Sequence, residues 1–145
     1  MTDNNFKYID AHSHLHDKAF DSDRKDLIQE MRKSGIATVA IGTDLKASQD
    51  AQRTADMSDN IYFTIGVHPH DDVTAIFDSG EFEKLASHPK CVAVGECGLD
   101  YYYLELEIKK NTNNLSDVEL SEKRRAEKNR QKILFKDQIK FALSH

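Results

Sequence analysis

Four short, mainly apolar runs recur along the chain, and each gives way to polar residues. They are Phe6–Ala11, Ile36-Ala37-Thr38-Val39-Ala40-Ile41, Ile61–Gly66 and Cys91-Val92-Ala93-Val94-Gly95-Glu96. Each is of strand length, and runs apolar on both faces suit parallel strands covered by helices on both sides. Between them the spacing becomes helical. Asp21 or Ser22 can cap a helix to about Ser34, with Leu27, Ile28 and Met31 as its apolar stripe and Gly35 where a helix stops. A second helix is expected over roughly Lys46–Met57, and a third most clearly over Glu81–Ser87, ended by Pro89. Alternating strands and helices predict an α/β fold with a parallel sheet and right-handed crossovers.

The polar residues fall just past the carboxyl end of each strand. His12 and His14 follow the first, Thr43 and Asp44 the second, His68 the third, Glu96 and Asp100 the fourth. Parallel strands present those ends on one rim, so residues distant in sequence converge. Chemistry gathered on such a rim is the habit of the (β/α)8 barrel. In an extended chain His12 and His14 project to the same side, and two imidazoles aimed at one point begin a divalent-metal site. A solvated turn is the plainer reading of that pair. Glu96 has two readings as well, a lysine partner or a metal; the cost of an unpaired carboxylate at a buried strand end favours the metal. His68 before Pro69 either lines the pocket or shapes the strand exit, and Asp100 either lines the pocket or caps a turn beside Gly98. Tyr101–Tyr103 either stack on a base or fill the rim.

Composition narrows the classes. With 145 residues, 39% hydrophobic and 31% charged, the chain is of single-domain size and globular in character. A formal charge of −5 does not announce a nucleic-acid binder, so any such contact needs a local basic patch. No apolar run approaches the roughly 20 residues of a membrane span, and the polar start Met1–Lys7 does not read as a signal peptide. Cys91 and Cys97 lie on one expected strand, about 20 Å apart at 3.3 Å per residue, too far for a disulfide. Reduced, buried thiols fit a cytoplasmic protein.

Three motifs in order, Asp10-Ala11-His12-Ser13-His14-Leu15, Gly66-Val67-His68-Pro69 and Gly95-Glu96-Cys97-Gly98-Leu99-Asp100-Tyr101-Tyr102, together resemble the amino-terminal signature of the TatD-related DNases, metal-dependent hydrolases of the amidohydrolase superfamily. The resemblance implies a (β/α)8 TIM-type barrel, of which only about the first four βα units are present. It implies that His12 and His14 bind one divalent ion, magnesium, manganese or zinc. Glu96 would bridge it to a second and act in catalysis, while His68 and Asp100 would contact substrate. The implied activity is phosphodiester hydrolysis in the manner of a 3′-to-5′ exonuclease, with DNA or another phosphodiester as substrate. The residue types suit that chemistry, since a bound divalent ion lowers the pKa of its water to roughly 7 and neutralises charge developing on phosphorus.

Two departures from the family pattern stand out. Leu104–Asn114 is a polar stretch expected to form an atypical loop at about 104–115. Beyond it Ser116-Asp117-Val118-Glu119 has the form of a capping box, opening a helix towards the carboxyl end. Its first part, Glu122–Lys132, carries Lys123, Arg124, Arg125, Lys128, Arg130 and Lys132, either a solvated face or an attraction for phosphates. Its second part, with Leu134, Phe135, Ile139 and Ala142, has the spacing of a core-facing stripe. The second departure is length: a complete barrel takes about 250 residues. The chain is therefore expected to be the amino-terminal portion of one barrel domain, with the carboxyl-terminal half missing and three of about six metal ligands present. Four strands alone leave two open edges and an uncovered inner face. Such a fragment is expected to be marginally stable or aggregating and catalytically weak unless a partner completes it. Two other functions stay open: a superfamily relative acting on C–N bonds, and an inactive fragment that keeps metal or nucleic-acid binding.

Overall fold

A computed structural model describes residues 6–70, 76–110 and 116–145. Four strands, β1 (Tyr8–Ser13), β2 (Ile36–Ala40), β3 (Ile61–Ile65) and β4 (Cys91–Val94), form one sheet in the order β1-β2-β3-β4. Every neighbouring pair is parallel. Helices α1 (Arg24–Lys33), α2 (Leu45–Ala55) and α3 (Ser79–Ala86) connect successive strands, and α4 (Tyr101–Lys110) and α5 (Asp117–Ser144) follow the last. Strands in sequential order with helical crossovers form the arrangement of half a (β/α)8 barrel.

The core lies between β3, the helices α2 and α3, and the last turns of α5. Ile61, Phe63 and Ile65 alternate along β3 and are fully buried, joined by Ala40, Phe82, Leu134 and Phe141. The inner surface of α2 is built of small residues, and Ser48, Ala51 and Ala55 are fully buried. Their short side chains let the helix axis lie close to the sheet. Asp44 starts α2 by accepting a 2.6 Å hydrogen bond from the Ala47 amide, as an N-cap aspartate should. Ser116 and Glu119 form the reciprocal capping box that opens α5.

Several boundaries differ from the sequence expectation. β1 runs two residues past Ala11, so His12 belongs to the strand itself. Neither Asp21 nor Ser22 caps α1; a 3-10 turn at Lys18–Phe20 intervenes, and the carboxylate of Asp21 pairs with Arg24. The expected loop at 104–115 is helical as far as Lys110, because Leu104 and Ile108 are four apart and both bury; positions 111–115 lie outside the described residues. The expected core stripe of α5 is also displaced. Gln131, Leu134, Gln138 and Phe141 face inward, whereas Ile139 and Ala142 are exposed and Phe135 is half-buried. Two glutamines occupy the inner line because each has a backbone partner there, described next.

Candidate metal centre

Hydrogen bonds between loop backbones tie the carboxyl ends of the strands into one rim. The Ile41 amide donates to the Ser13 carbonyl at 2.9 Å and the Gly95 amide to that of Ile65 at 2.7 Å. The His68 amide donates to the Thr43 carbonyl and the Glu96 amide to that of Gly42, each at 2.7 Å. The rim requires close backbone approach: a Cβ on Gly66 would stand 2.7 Å from the carbonyl carbon of Gly95, and backbone cannot yield as a flexible side chain can. Glycine there lets β3 and β4 deliver His68 and Glu96 side by side.

The rim brings four of the five sequence-predicted site residues together. His12 Nε2 lies 3.7 Å from Glu96 Oε2, and His68 Nε2 lies 3.8 Å from Glu96 Oε1. The rings of His12 and His14 are 5.3 Å apart between centroids. Ligand atoms of His12, His14 and Glu96 all fall within 4.8 Å of one another. Donors around one ion with bonds of about 2 Å stand roughly 3–4 Å apart, so the His12–Glu96 spacing already fits and small side-chain rotations close the rest. Two imidazoles and one carboxylate form a borderline set suited to zinc, manganese or magnesium. The described ion-pair contacts of Glu96 are with His12 and His68 rather than with a lysine.

His68 accepts a hydrogen bond at Nδ1 from the His70 amide at 3.3 Å. Its Nε2 faces the Glu96 carboxylate. Asp100 is placed differently. Its Oδ1 accepts from the Tyr102 and Tyr103 amides at 3.0 and 3.3 Å, so it caps α4 and is absent from the pocket wall. Tyr103 stacks on His70 with centroids 4.5 Å apart, and Lys128 lies over the Tyr101 ring. Of the basic run, Arg124 pairs with Glu105, and Arg130 binds Glu127 and the Pro69 carbonyl.

Beside the cluster opens a pocket of about 600 Å³, whose wall includes His14, His16, Asp17, Thr43, Asp44, Asp50, His68 and Glu96. The Asp50 carboxyl sits below the usual range: burial pushes it up, but hydrogen bonds from Lys46 and Arg53 outweigh that. Burial lowers the pKa of His16, and neighbouring His14 lowers it further. Burial raises both thiols, with Glu96 adding to the effect at Cys97; both cysteines are free.

Three positioning residues escaped the sequence reading. Gln138, fully buried, accepts from the Val67 amide at 2.8 Å and donates to the Val67 carbonyl at 2.9 Å. Seven residues earlier Gln131 makes the same pair with Asp100, at 2.9 and 3.0 Å. Each amide clasps the rim backbone as a neighbouring strand would, one residue from His68 in the first case. Arg24 holds the loop after His14 through the carbonyls of Leu15, His16 and Asp17. Only a repeat of glutamine at a seven-residue interval hinted at the clasps, and polar residues on a helix ordinarily read as solvent-facing.

The family model of the TatD-related DNases matches residues 9–145. The chain belongs to that family. Among relatives, it is 38% identical over 96 residues to the 3′-5′ ssDNA/RNA exonuclease TatD of Shigella flexneri serotype 5b, covering 64% of this chain and 36% of that protein. It is 33% identical over 99 residues to an uncharacterized metal-dependent hydrolase TatD of Mycobacterium tuberculosis, covering 66% of this chain and 38% of that one. The crystal structure of YJJV, a TatD homolog from Escherichia coli K12, superposes with a TM-score of 0.62 at 23% identity, over 93% of this chain and 46% of the other. The likeness thus spans little more than a third of the curated relatives and under half of the solved structure. No helix among the described residues is long and apolar enough to cross a membrane.

Proposed function

We propose that His12, His14 and Glu96 hold a divalent cation, and that this TatD-family chain carries the metal-binding half of a phosphodiesterase site acting on single-stranded nucleic acid. The observation that carries the reading is the meeting of three ligand atoms within 4.8 Å, drawn from strands more than eighty positions apart in sequence. When bound, the cation would supply an acidified water and screen the charge developing on phosphorus. Glu96, with one oxygen towards His12 and the other towards His68, would hold the cation and act as the catalytic carboxylate. His68, on the wall of the adjoining pocket, would contact a phosphate oxygen of the substrate. Asp100 would act on substrate through the position of the tyrosines it caps. The pocket, about 600 Å³ with imidazoles and carboxylates along its wall, has room for a nucleotide. Free thiols suit a cytoplasmic location for such an enzyme.

Calorimetric titration of the chain with manganese tests the reading. One site is expected, weakened at least about a hundredfold by His12→Ala, since loss of one ligand of three removes a large part of the binding energy. Release of nucleotides from single-stranded DNA, abolished by Glu96→Ala, is the expected activity. Unchanged manganese affinity in His12→Ala would sink the site. Cation binding with no turnover would keep the site and reject the activity. Hydrolysis of a cyclic amide but not of DNA would transfer the site to C–N chemistry.

A further inference from the structure

Aromatic rings gather on the rim immediately beside the metal centre. The short segment His68-Pro69-His70 joins the two. At its start the His68 ring faces Glu96. At its end the His70 ring lies flat on Tyr103, with centroids 4.5 Å apart and planes 18° from parallel. Tyr102 meets Tyr103 edge-on, at 5.4 Å and 81°. Tyr102 and Tyr103 are 69% and 47% exposed, which rings that merely filled the rim would not be.

Backbone contacts hold this aromatic group in place from both sides. Asp100 accepts from the Tyr102 and Tyr103 amides, and Gln131 of α5 clasps the Asp100 backbone in turn. The preceding residue of α5, Arg130, donates to the Pro69 carbonyl on the His70 side. Rings positioned before a partner arrives lose little freedom when it stacks on them. The same stretch of α5 brings positive charge to a chain whose formal net charge is −5. Lys128 Nζ lies 4.9 Å from the centre of the Tyr101 ring, and Lys132, one turn further along, is exposed.

We propose that Tyr102 and Tyr103, backed by His70, stack a base of single-stranded nucleic acid next to the scissile phosphate, while Lys128 and Lys132 meet the phosphates beyond it. The proposal rests on reading the metal centre as a phosphodiesterase site and adds the surface that holds the rest of the strand. His68 and His70 are two residues apart, at most about 7 Å along the chain, so the platform adjoins the pocket at the distance of a neighbouring nucleotide. Stacking tolerates any sequence because every base has a π-face. It selects single strands, since in a duplex those faces are covered by neighbouring pairs.

Binding of a labelled oligothymidylate, followed by fluorescence anisotropy in buffer with chelator, tests the platform apart from metal and turnover. The oligomer is expected to bind more tightly than an abasic strand of equal length or a duplex. Tyr102→Ala and Tyr103→Ala each weaken it about tenfold, and Tyr103→Phe, which keeps the ring, binds as the unaltered chain does. Lys128→Ala and Lys132→Ala each lower the slope of log affinity against log salt by about 0.7. A second readout needs no variant: the chain has no tryptophan, and three of its five tyrosines lie in Tyr101–Tyr103. Oligothymidylate should therefore change the tyrosine emission and the abasic strand should not. Equal binding of normal, abasic and duplex strands, or emission indifferent to the bases, would overturn the proposal. Manganese binding together with unchanged oligothymidylate affinity in both tyrosine-to-alanine variants would reject the platform and leave the metal centre standing. Base-dependent binding in a chain without manganese affinity would do the reverse.

Discussion

β3 and β1 belong to one sheet, yet they live in different solvents. Ile61, Phe63 and Ile65 have no exposed surface, whereas Tyr8 and Ile9 keep two thirds of theirs. Helices lie against β3 from α2 and α3, and the last turns of α5 seal that side of the core. The candidate metal centre straddles this divide. His68 comes from the packed middle, while His12, His14 and Glu96 come from the two edges. What fixes the edge residues is the rim itself, where loop amides of β2 and β4 bond to their neighbours. The lesson is that a centre can be geometrically formed in half a barrel because its ligands are tied by backbone at the rim rather than by burial along the strand.

The largest expected effect separates the two regions by what a shortened side chain costs. Phe63→Ala removes a fully buried ring and should cost about 3–5 kcal/mol, measured by denaturant unfolding, at any protein concentration. Ile9→Ala should cost less than about 1 kcal/mol by the same measurement, because two thirds of that side chain is already exposed. Equal losses at both positions would erase the distinction between middle and edge.

A smaller effect probes how the middle is fastened to the site. Gln138→Leu keeps much of the volume but strips the Val67 amide and carbonyl of their partner at a fully buried position. A buried unsatisfied polar group costs about 1–3 kcal/mol, so a loss of roughly 2–3 kcal/mol is expected in unfolding. Exchange of the Val67 amide should accelerate out of proportion to the global loss. If only global stability falls, Gln138 is packing and nothing more.

Much of this was legible beforehand, and what was not had a physical cause. The strand periodicity identified four strands, and the polar residues past their ends marked the rim, because apolar runs and strand-end chemistry are local signals. The spacing of His12 and His14 needed only the pleat of a strand. Asp100 could not be placed in the same way: a carboxylate past a strand serves equally as ligand or helix cap, and here the two tyrosine amides claim it. The stripe on α5 misled for a related reason. Phe135, Ile139 and Ala142 have core spacing, but the side of α5 that meets the rim carries Gln131 and Gln138, whose amides bond to the Asp100 and Val67 backbone. The helix at Tyr101–Lys110 was hidden because Leu104, Leu106 and Ile108 alternate with glutamates at a strand-like period, while Leu104 and Ile108, four apart, decide its packing.

The smallest effect lies at the end of α5, where a polar tie joins that helix to the packed side of the molecule. His145 presents Nδ1 to the Phe141 carbonyl and Nε2 to Glu83 of α3, each at 3.0 Å. Both partners accept, so the ring satisfies both only when doubly protonated. The Phe141 carbonyl, and then Glu83, accordingly raise its pKa above the ordinary 6.5. A raised value in the folded state means the contribution is complete below about 6.5 and fades as pH climbs through the folded value. The melting temperature of the unaltered chain should therefore exceed that of His145→Ala at about pH 6 and converge with it near pH 8.5 or above, past the range of histidine titration. The site is exposed, so the difference should be slight and should shrink with added salt. A gap that widens with pH would mean that the ring is held neutral, and that α5 is joined to α3 by packing of His145 on Phe141 rather than by charge.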